Sequence, residues 1–185
     1  MDNKGKEGGF TLVFLVLAGS LVIAGLWEQL PIVREIAHRI LDPTAGYLLD
    51  WHITYGMLAI VLLISIFTTV VQKYATDQES LRELRKEQKI LQDEMKEFKD
   101  HPEKLLALQK KQMQQIPENF MKTFKLTSRA MVFTTVPFIL LFRWFNDYFT
   151  LNTGIKFFGI LNWFWFYFIF VILFSSVLRK KFNVV

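Results

Sequence analysis

Polar side chains inside apolar stretches are the residues of this chain whose types and spacing could do chemistry. One such stretch contains Ser65, Thr68, Thr69 and Gln72. Their spacings of three and four residues would place all four on one face of a helix. A polar group in lipid costs free energy unless it meets a partner or water. The face therefore has two explanations: hydrogen bonding between helices, or a groove that holds water.

Other apolar stretches carry polar residues that cluster toward the same side of a membrane. Thr134 and Thr135 lie in one such stretch, and Ser175 and Ser176 lie near the end of another. This clustering favours a shared groove open to water on one side, with helix-to-helix hydrogen bonds as the alternative. The candidate groove residues are Thr68, Thr69, Gln72, Arg129, Thr134 and Ser176.

Covalent and metal chemistry find little support in the sequence. The chain has no cysteine, which excludes disulfides, thiolate nucleophiles and zinc–sulfur sites. Its three histidines, His38, His52 and His101, lack metal-ligand spacing, and there is no phosphate-binding glycine loop, HExxH or GxSxG motif. We therefore expect a protein that is not an enzyme and needs no metal or other cofactor.

The elements that must position these residues are apolar runs of membrane-spanning length. About 18 uncharged residues suffice to cross the hydrocarbon core of a bilayer. Three runs reach that length, at residues 10–27, 51–72 and 157–178. The first could instead be a cleaved signal peptide, but we favour a retained helix. Residues 31–50 should lie along the outer membrane interface.

A fourth run is shorter and raises a problem of length. It is uncharged only from residue 130 to 142, about 20 Å of helix against a core of about 30 Å. It can span only if the helix extends past Arg129 and Arg143, with both side chains reaching the interface, or if the bilayer is thin there. Pro137 in its middle predicts a kink.

Lysine and arginine set the expected orientation. They are dense in residues 73–129 and 179–181, whereas the connection between the last two runs holds only Arg143 and Lys156. The positive-inside rule then places the central charged segment and the C-terminus in the cytoplasm. The net charge of +5 suits anionic lipid or RNA and does not choose between them.

The central segment has the pattern of a helical hairpin. Residues 76–79 have the spacing of a capping box, residues 100–103 break the helix, and Pro117 predicts a bend before the next membrane run. The predicted seam alternates at steps of three and four: Leu81, Leu84, Gln88, Leu91, Met95 and Phe98, returning through Leu105, Leu108, Gln112 and Ile116. Glutamines in a seam weaken it, which suits an arm that moves or binds, although a solvated spacer is the alternative.

Basic side chains of the hairpin could contact ribosomal RNA. The attraction of phosphate for lysine and arginine is independent of sequence. Acidic residues nearly balance the basic ones here, so charge alone does not establish RNA binding. The candidate contacts to the ribosome or another partner are Arg82, Arg85, Lys89, Lys104, Lys110 and Lys111.

Several local motifs recur together along the chain. They are YATDQ at 74–78, the arm at 84–99, HPEKL at 101–105 with 108–110, VPFIL at 136–140, and NWFWFY at 162–167 ahead of the basic pair at 179–180. With these motifs the chain, from about residue 41 to the C-terminus, resembles the YidC/Oxa/Alb membrane insertase superfamily. It looks more like the archaeal YidC-like proteins, which are relatives of the insertase-like subunit of the ER membrane complex and of the transmembrane and coiled-coil domain family.

The resemblance implies a cytosol-facing groove among three core helices. A hydrophilic stretch of a client would enter it while the client's apolar segment slides into lipid, and the hairpin would contact the ribosome or nascent chain. Bacterial members often carry a groove arginine on the first core helix. The run at 51–72 has none before Lys73, so Arg129 on the second core helix could supply the charge. We then expect Arg129→Ala to slow insertion of clients with acidic tails.

Together these features predict an all-α, polytopic protein of a cell membrane that acts as an insertase, and the resemblance implies an archaeal plasma membrane. The first predicted segment, 1–50, holds an N-terminal hydrophobic helix and an external interfacial stretch. It is followed by the first core helix (51–72), the cytoplasmic coiled-coil hairpin (73–127), the second core helix (128–149), and the third core helix with its basic tail (150–185). The expected partners are nascent membrane proteins, the ribosome and the Sec translocon. The alternatives are a membrane-anchored receptor or scaffold for the ribosome, a targeting factor or a translocon, and a small ion channel, against which the lack of an acidic ring counts.

Overall fold

A computed structural model describes residues 4–184, with side chains from residue 11 onward except residue 12. The described chain is helical throughout its regular structure, apart from one isolated β-bridge. The helices in order are α1 (Lys4–Gly25), α2 (Pro31–Leu41), α3 (Tyr47–Trp51), α4 (Ile53–Ala75), α5 (Gln78–Glu97), α6 (Pro102–Leu151) and α7 (Trp163–Phe182). A short 3₁₀ turn (Trp27–Gln29) and a π turn (Asp42–Gly46) connect the first three.

Three of the described helices, α4, α6 and α7, are long and apolar enough to cross a membrane. The predicted class, an all-α polytopic membrane protein, is confirmed. Helix α4 packs on both α6 and α7, while α1 lies along α6. Within the described residues the aromatic core sits at the ends of these helices remote from the hairpin, where Trp144, Phe145, Phe157 and Phe166 are fully buried. Phe157 and Phe166 stack with ring centroids 4.3 Å apart.

Helix α6 is the longest element and joins the hairpin to the membrane. Its 50 residues extend about 75 Å at about 1.5 Å per residue. Both Pro117 and Pro137 lie inside it, so the second hairpin arm and the second core span form one helix without a break at Pro117. It also continues past Arg129 and Arg143, which is the extension that the short apolar run required.

The hairpin consists of α5 and the first half of α6. Its N-terminal cap is one residue off the prediction: Asp77, and not Thr76, accepts the Ser80 amide at 3.1 Å and the Ser80 hydroxyl at 2.8 Å. Both hydrogen bonds lower the pKa of Asp77 below its usual value, and the bond from the Ser80 hydroxyl has the larger effect. Thr76 is extended and ends α4 instead. The helix-breaking prediction at 100–103 is confirmed, because α6 begins at Pro102.

Only part of the predicted seam of the hairpin is buried. Leu81 and Leu91 are buried, whereas Ile116, predicted to lie in the seam, is 60% exposed. Around Ile116, the half-buried positions on α6 are Gln112, Gln115 and Asn119. The seam on α6 therefore continues from Gln112 to Gln115 instead of Ile116, and polar side chains face α5 there.

A sharp corner between α3 and α4 depends on Gly56. His52 is extended, with φ −162° and ψ 112°, and separates the two helices. The chain then folds back so closely that a Cβ atom on Gly56 would overlap the backbone carbonyl of Leu48. Backbone atoms cannot yield as a flexible side chain can, so any larger residue must force α3 away from α4.

We expect Gly56→Ala to destabilise the protein by about 1–3 kcal/mol, the usual cost of overpacking a tight contact. Thermal unfolding in detergent would measure it. Gly19→Ala is the matched control because nothing lies within 4 Å of its added Cβ, and the stability should stay the same or rise by up to about 1 kcal/mol. Equal effects at both glycines would contradict the proposed close approach.

Candidate functional site

Three cavities lie in series along α6, from the hairpin into the membrane helices. We name them the hairpin crevice, the basal cavity and the apolar chamber, and their volumes are about 340, 420 and 280 Å³. Gln88 and Thr123 line both the crevice and the basal cavity, and Thr134 lines both the basal cavity and the chamber. The shared residues show that the three spaces are neighbours along α6, and we refer to them together as the path.

The basal cavity lies where the hairpin meets the membrane helices, and α4, α5, α6 and α7 all contribute to its wall. Its lining mixes amides, hydroxyls, apolar groups and two guanidinium groups. The lining residues are Gln72, Thr76, Gln78, Leu81, Leu84, Arg85, Gln88, Thr123, Thr127, Ala130, Met131, Thr134 and Arg179. Beside it, Arg82 donates a 2.6 Å hydrogen bond to the Asn183 carbonyl and ties the hairpin to the end of α7.

The apolar chamber lies deeper, between α2, α4 and α6. Its lining residues are Ile36, Ala37, Ile40, Leu41, Ile64, Phe67, Thr68, Thr134, Pro137, Phe138, Leu140 and Leu141. The two hydroxyls donate within their own helices, Thr68 to Ile64 at 2.9 Å and Thr134 to Ala130 at 2.9 Å. The walls therefore present mainly hydrocarbon to whatever enters.

The predicted groove residues divide between the cavities and other environments. Gln72, Thr68 and Thr134 line the path. Thr69 is buried and donates to the Ser65 carbonyl at 2.6 Å, and Ser176 is exposed and donates to its own helix. Arg129 is exposed and lines neither the basal cavity nor the chamber. The polar face of α4 thus has one dry side and one side that faces a cavity.

Arg85 and Arg179 supply the positive charge of the basal cavity. The sequence analysis placed Arg85 only on the hairpin surface and Arg179 only in the tail. A signal for Arg85 was present, since it lies four residues after Leu81 and three before Gln88, on the same face of α5. No local pattern marks Arg179, because its position depends on the fold bringing the end of α7 under the hairpin.

The six predicted partner contacts of the hairpin have three different environments. Arg82 is bonded to Asn183, Arg85 lines the basal cavity, and the Lys104 ammonium lies 4.7 Å from the centroid of the Phe98 ring. The other three are exposed on the hairpin surface: Lys89, Lys110 and Lys111.

The opposite end of the bundle is closed by polar contacts that the sequence analysis did not identify. Asp147 Oδ2 lies 2.8 Å from Trp27 Nε1, 3.0 Å from Arg34 Nε and 3.1 Å from His38 Nε2. The Asp147 side chain is only 12% exposed. One carboxylate of α6 therefore fastens the segment between α1 and the middle of α2.

Two further contacts and one stacked cation reinforce this closed end. Trp144 Nε1 donates to Asp42 at 2.7 Å, and the Tyr148 hydroxyl donates to Asp50 at 2.6 Å. The Arg143 guanidinium lies 5.7 Å from the Trp27 ring centroid, so Arg143 is covered by an aromatic ring. Isolated acids in an apolar context were the available signal, but their partners lie about 100 or more residues away in sequence.

Comparison with protein families matches residues 40–158, well over half of the chain, to the family described as Integral membrane protein EMC3/TMCO1-like. This chain belongs to the EMC3/TMCO1-like family. The matched region runs from the end of α2 through the hairpin to the connection before α7. Comparison with curated proteins and with solved structures finds no match.

Membership of the EMC3/TMCO1-like family places the chain in the YidC/Oxa/Alb superfamily, as predicted, and among proteins related to membrane insertion.

We expect Asp147→Asn to lower the free energy of unfolding by about 1–3 kcal/mol, because the neutral amide loses the ion pair with Arg34 and accepts more weakly from Trp27 than a nearly buried carboxylate does. Thermal unfolding in detergent would measure it. Glu35→Gln is the control, since Glu35 pairs with Arg39 in the open and should change stability by less than about 0.5 kcal/mol. A larger loss at Glu35 would contradict the fastening role of Asp147.

The absence of native cysteines makes single-cysteine labelling a direct test of hydration. We expect Thr127→Cys and Thr134→Cys to react with a membrane-impermeant maleimide, because both positions line the basal cavity. Thr69→Cys should stay unlabelled until the protein is unfolded, since Thr69 is 1% exposed. Equal labelling of Thr69 and Thr134 would remove the distinction between the dry side and the cavity side.

Proposed function

We propose that this protein is a membrane protein insertase. A short hydrophilic segment of the client enters the basal cavity, while the client's apolar segment passes beside the apolar chamber into lipid. The observation that carries the proposal is the junction at Thr134, where a polar cavity under the hairpin meets a hydrocarbon-walled chamber. Membership of an insertase-related family supports it.

The mechanism is passive and needs no nucleotide. Moving polar groups through hydrocarbon is costly because nothing there can hydrogen-bond to them. Amides and hydroxyls of the basal cavity would shorten the distance over which a client's polar groups lack partners. Burial of the client's apolar segment, at about 25 cal/mol per Å², would supply the drive.

The proposed orientation puts the hairpin and the C-terminus in the cytoplasm of a cell membrane, an archaeal one by resemblance. The basic residues of the hairpin and tail support it through the positive-inside rule. The end fastened by Asp147 then faces outward, and clients enter from the side where they are synthesised. Exposed Lys89, Lys110 and Lys111 would contact the ribosome, and the Sec translocon is a second proposed partner.

The charges of the basal cavity should set the preference for clients. We expect the double variant Arg85→Gln/Arg179→Gln to insert clients with acidic tails about fivefold more slowly, equivalent to about 1 kcal/mol, and clients with uncharged tails at an unchanged rate. Arg85 and Arg179 are exposed but line the same cavity, so a client carboxylate that enters it would meet two guanidinium groups at once. The measurement is insertion into vesicles that contain only this protein.

Arg129→Gln is the comparison variant, because Arg129 is on the same side of the membrane but exposed outside the basal cavity. A loss confined to Arg85 and Arg179 would assign the charge to the cavity. A selective loss with Arg129→Gln alone would assign it to Arg129, as the sequence analysis expected.

A receptor or scaffold is the second candidate, and the outer surface of the hairpin favours it. Leu106 and Met113 lie one heptad apart on α6 and are 65% and 71% exposed, which suits contact with a partner protein. Vesicles that contain only the purified protein decide between the two. Insertion there supports the insertase, whereas ribosome binding without insertion supports the receptor.

A further inference from the structure

The hairpin crevice is lined by five carboxamide side chains, of which Gln88 and Gln92 are exposed and Gln112, Gln115 and Asn119 are half-buried. Within the described residues, its lining contains no charged side chain. Its lining residues are Gln88, Leu91, Gln92, Gln112, Gln115, Ile116, Asn119, Phe120 and Thr123. None of the five carboxamide side chains makes a hydrogen bond to another described residue. Such a concentration of unused donors and acceptors in a cavity of about 340 Å³ is suited to a polar, uncharged ligand.

Carboxamides match the peptide group in chemistry. Each offers an N–H donor and a carbonyl acceptor, as each backbone peptide unit does. An extended polypeptide leaves those backbone groups free, whereas a helix has already paired them internally. Five carboxamides in one crevice therefore favour an extended chain over a docked helix. Ile116 and Phe120, 60% and 65% exposed, would contact the side chains of that segment.

The crevice leads directly into the basal cavity. Gln88 of α5 and Thr123 of α6 line both spaces, so they share a boundary. A segment held in the crevice would need no further search to reach the cavity and then Thr134. The segment would meet Arg85 and Arg179 only in the basal cavity, after it leaves the crevice.

We propose that the hairpin crevice binds an extended, uncharged polypeptide segment of the client before that segment enters the basal cavity. This inference rests on the proposed insertase function and assigns the hairpin a place in the client's path. Gln88 and Gln112 occupy seam positions where leucine would pack the two helices more tightly. The crevice exists because those positions are polar.

Filling the crevice separates a binding role from a structural one. We expect Gln88→Leu/Gln112→Leu to raise the thermal midpoint of the protein in detergent while slowing insertion of a client with a serine- and asparagine-rich tail at least threefold. A purely structural seam would gain stability and keep or improve its insertion rate, which would overturn the inference. Gln109→Leu/Gln114→Leu is the control, since both side chains are exposed on α6 outside the crevice, and insertion should be unchanged.

Disulfide crosslinking locates the client directly. Single-cysteine variants Gln115→Cys and Asn119→Cys should crosslink to a ribosome-bound nascent chain that carries one cysteine in its uncharged tail. Gln114→Cys, the exposed neighbour, should not. Thr127→Cys reports the basal cavity in the same experiment.

The pattern of crosslinks distinguishes the two proposals. Crosslinks at 115, 119 and 127 but not at 114 support both. A crosslink at 127 with none at 115 or 119 overturns the crevice inference and leaves the insertase intact. Crosslinks at 114 as strong as those at 115 indicate nonspecific proximity and also overturn the inference. If no position crosslinks and purified vesicles show no insertion, the proposed function itself fails.

Discussion

Hydrocarbon cannot form hydrogen bonds, so every polar group in the membrane helices must be satisfied within the chain or by water. That constraint sorts the polar residues of this protein. Ser65 and Thr69 donate to carbonyls of their own helix and are fully buried, so they need no water and allow close helix contact. The unpartnered amides gather instead in the hairpin crevice, beyond the apolar core. The buried hydroxyls of α4 thus pair within their own helix, whereas the carboxamides of the hairpin lie where the fold leaves space for water or a client.

The long helix α6 connects the polar hairpin to the packed end of the bundle. Helix α6 runs from the hairpin tip to the closed end, and all three cavities lie along it. Near its C-terminus, Asp147 fastens the residues that follow α1, and the aromatic core fills the remaining volume. The end of the bundle near Asp147 is therefore packed and fastened, whereas the three cavities lie toward the hairpin.

The sequence predicted those features that depend on local periodicity. Run lengths identified two of the three spans, α4 and α7, whereas the third, α6, contains the run that was too short by itself. The break at 100–103 placed the hairpin turn within a residue or two. The sequence failed where the fold departs from a local rule. Pro117 is exposed and lies inside α6 without interrupting it. Asp147 and Arg179 could not be placed, since their surroundings come from segments about 100 residues away, and one sequence without pairing information does not encode such contacts in any period.

The order of side-chain types along α6 indicates that the hairpin and the membrane helices act together on a client. Neutral amides come first, guanidinium groups and hydroxyls second, and hydrocarbon last. A chain entering from water loses solvation gradually along such a series, because each stage replaces part of the water before the next removes more. A hairpin that only anchored a partner would have no need of a polar seam, and leucine at Gln88 and Gln112 would give it a stabler arm. The weak seam is therefore better explained as the first stage of the path than as a defect of the arm.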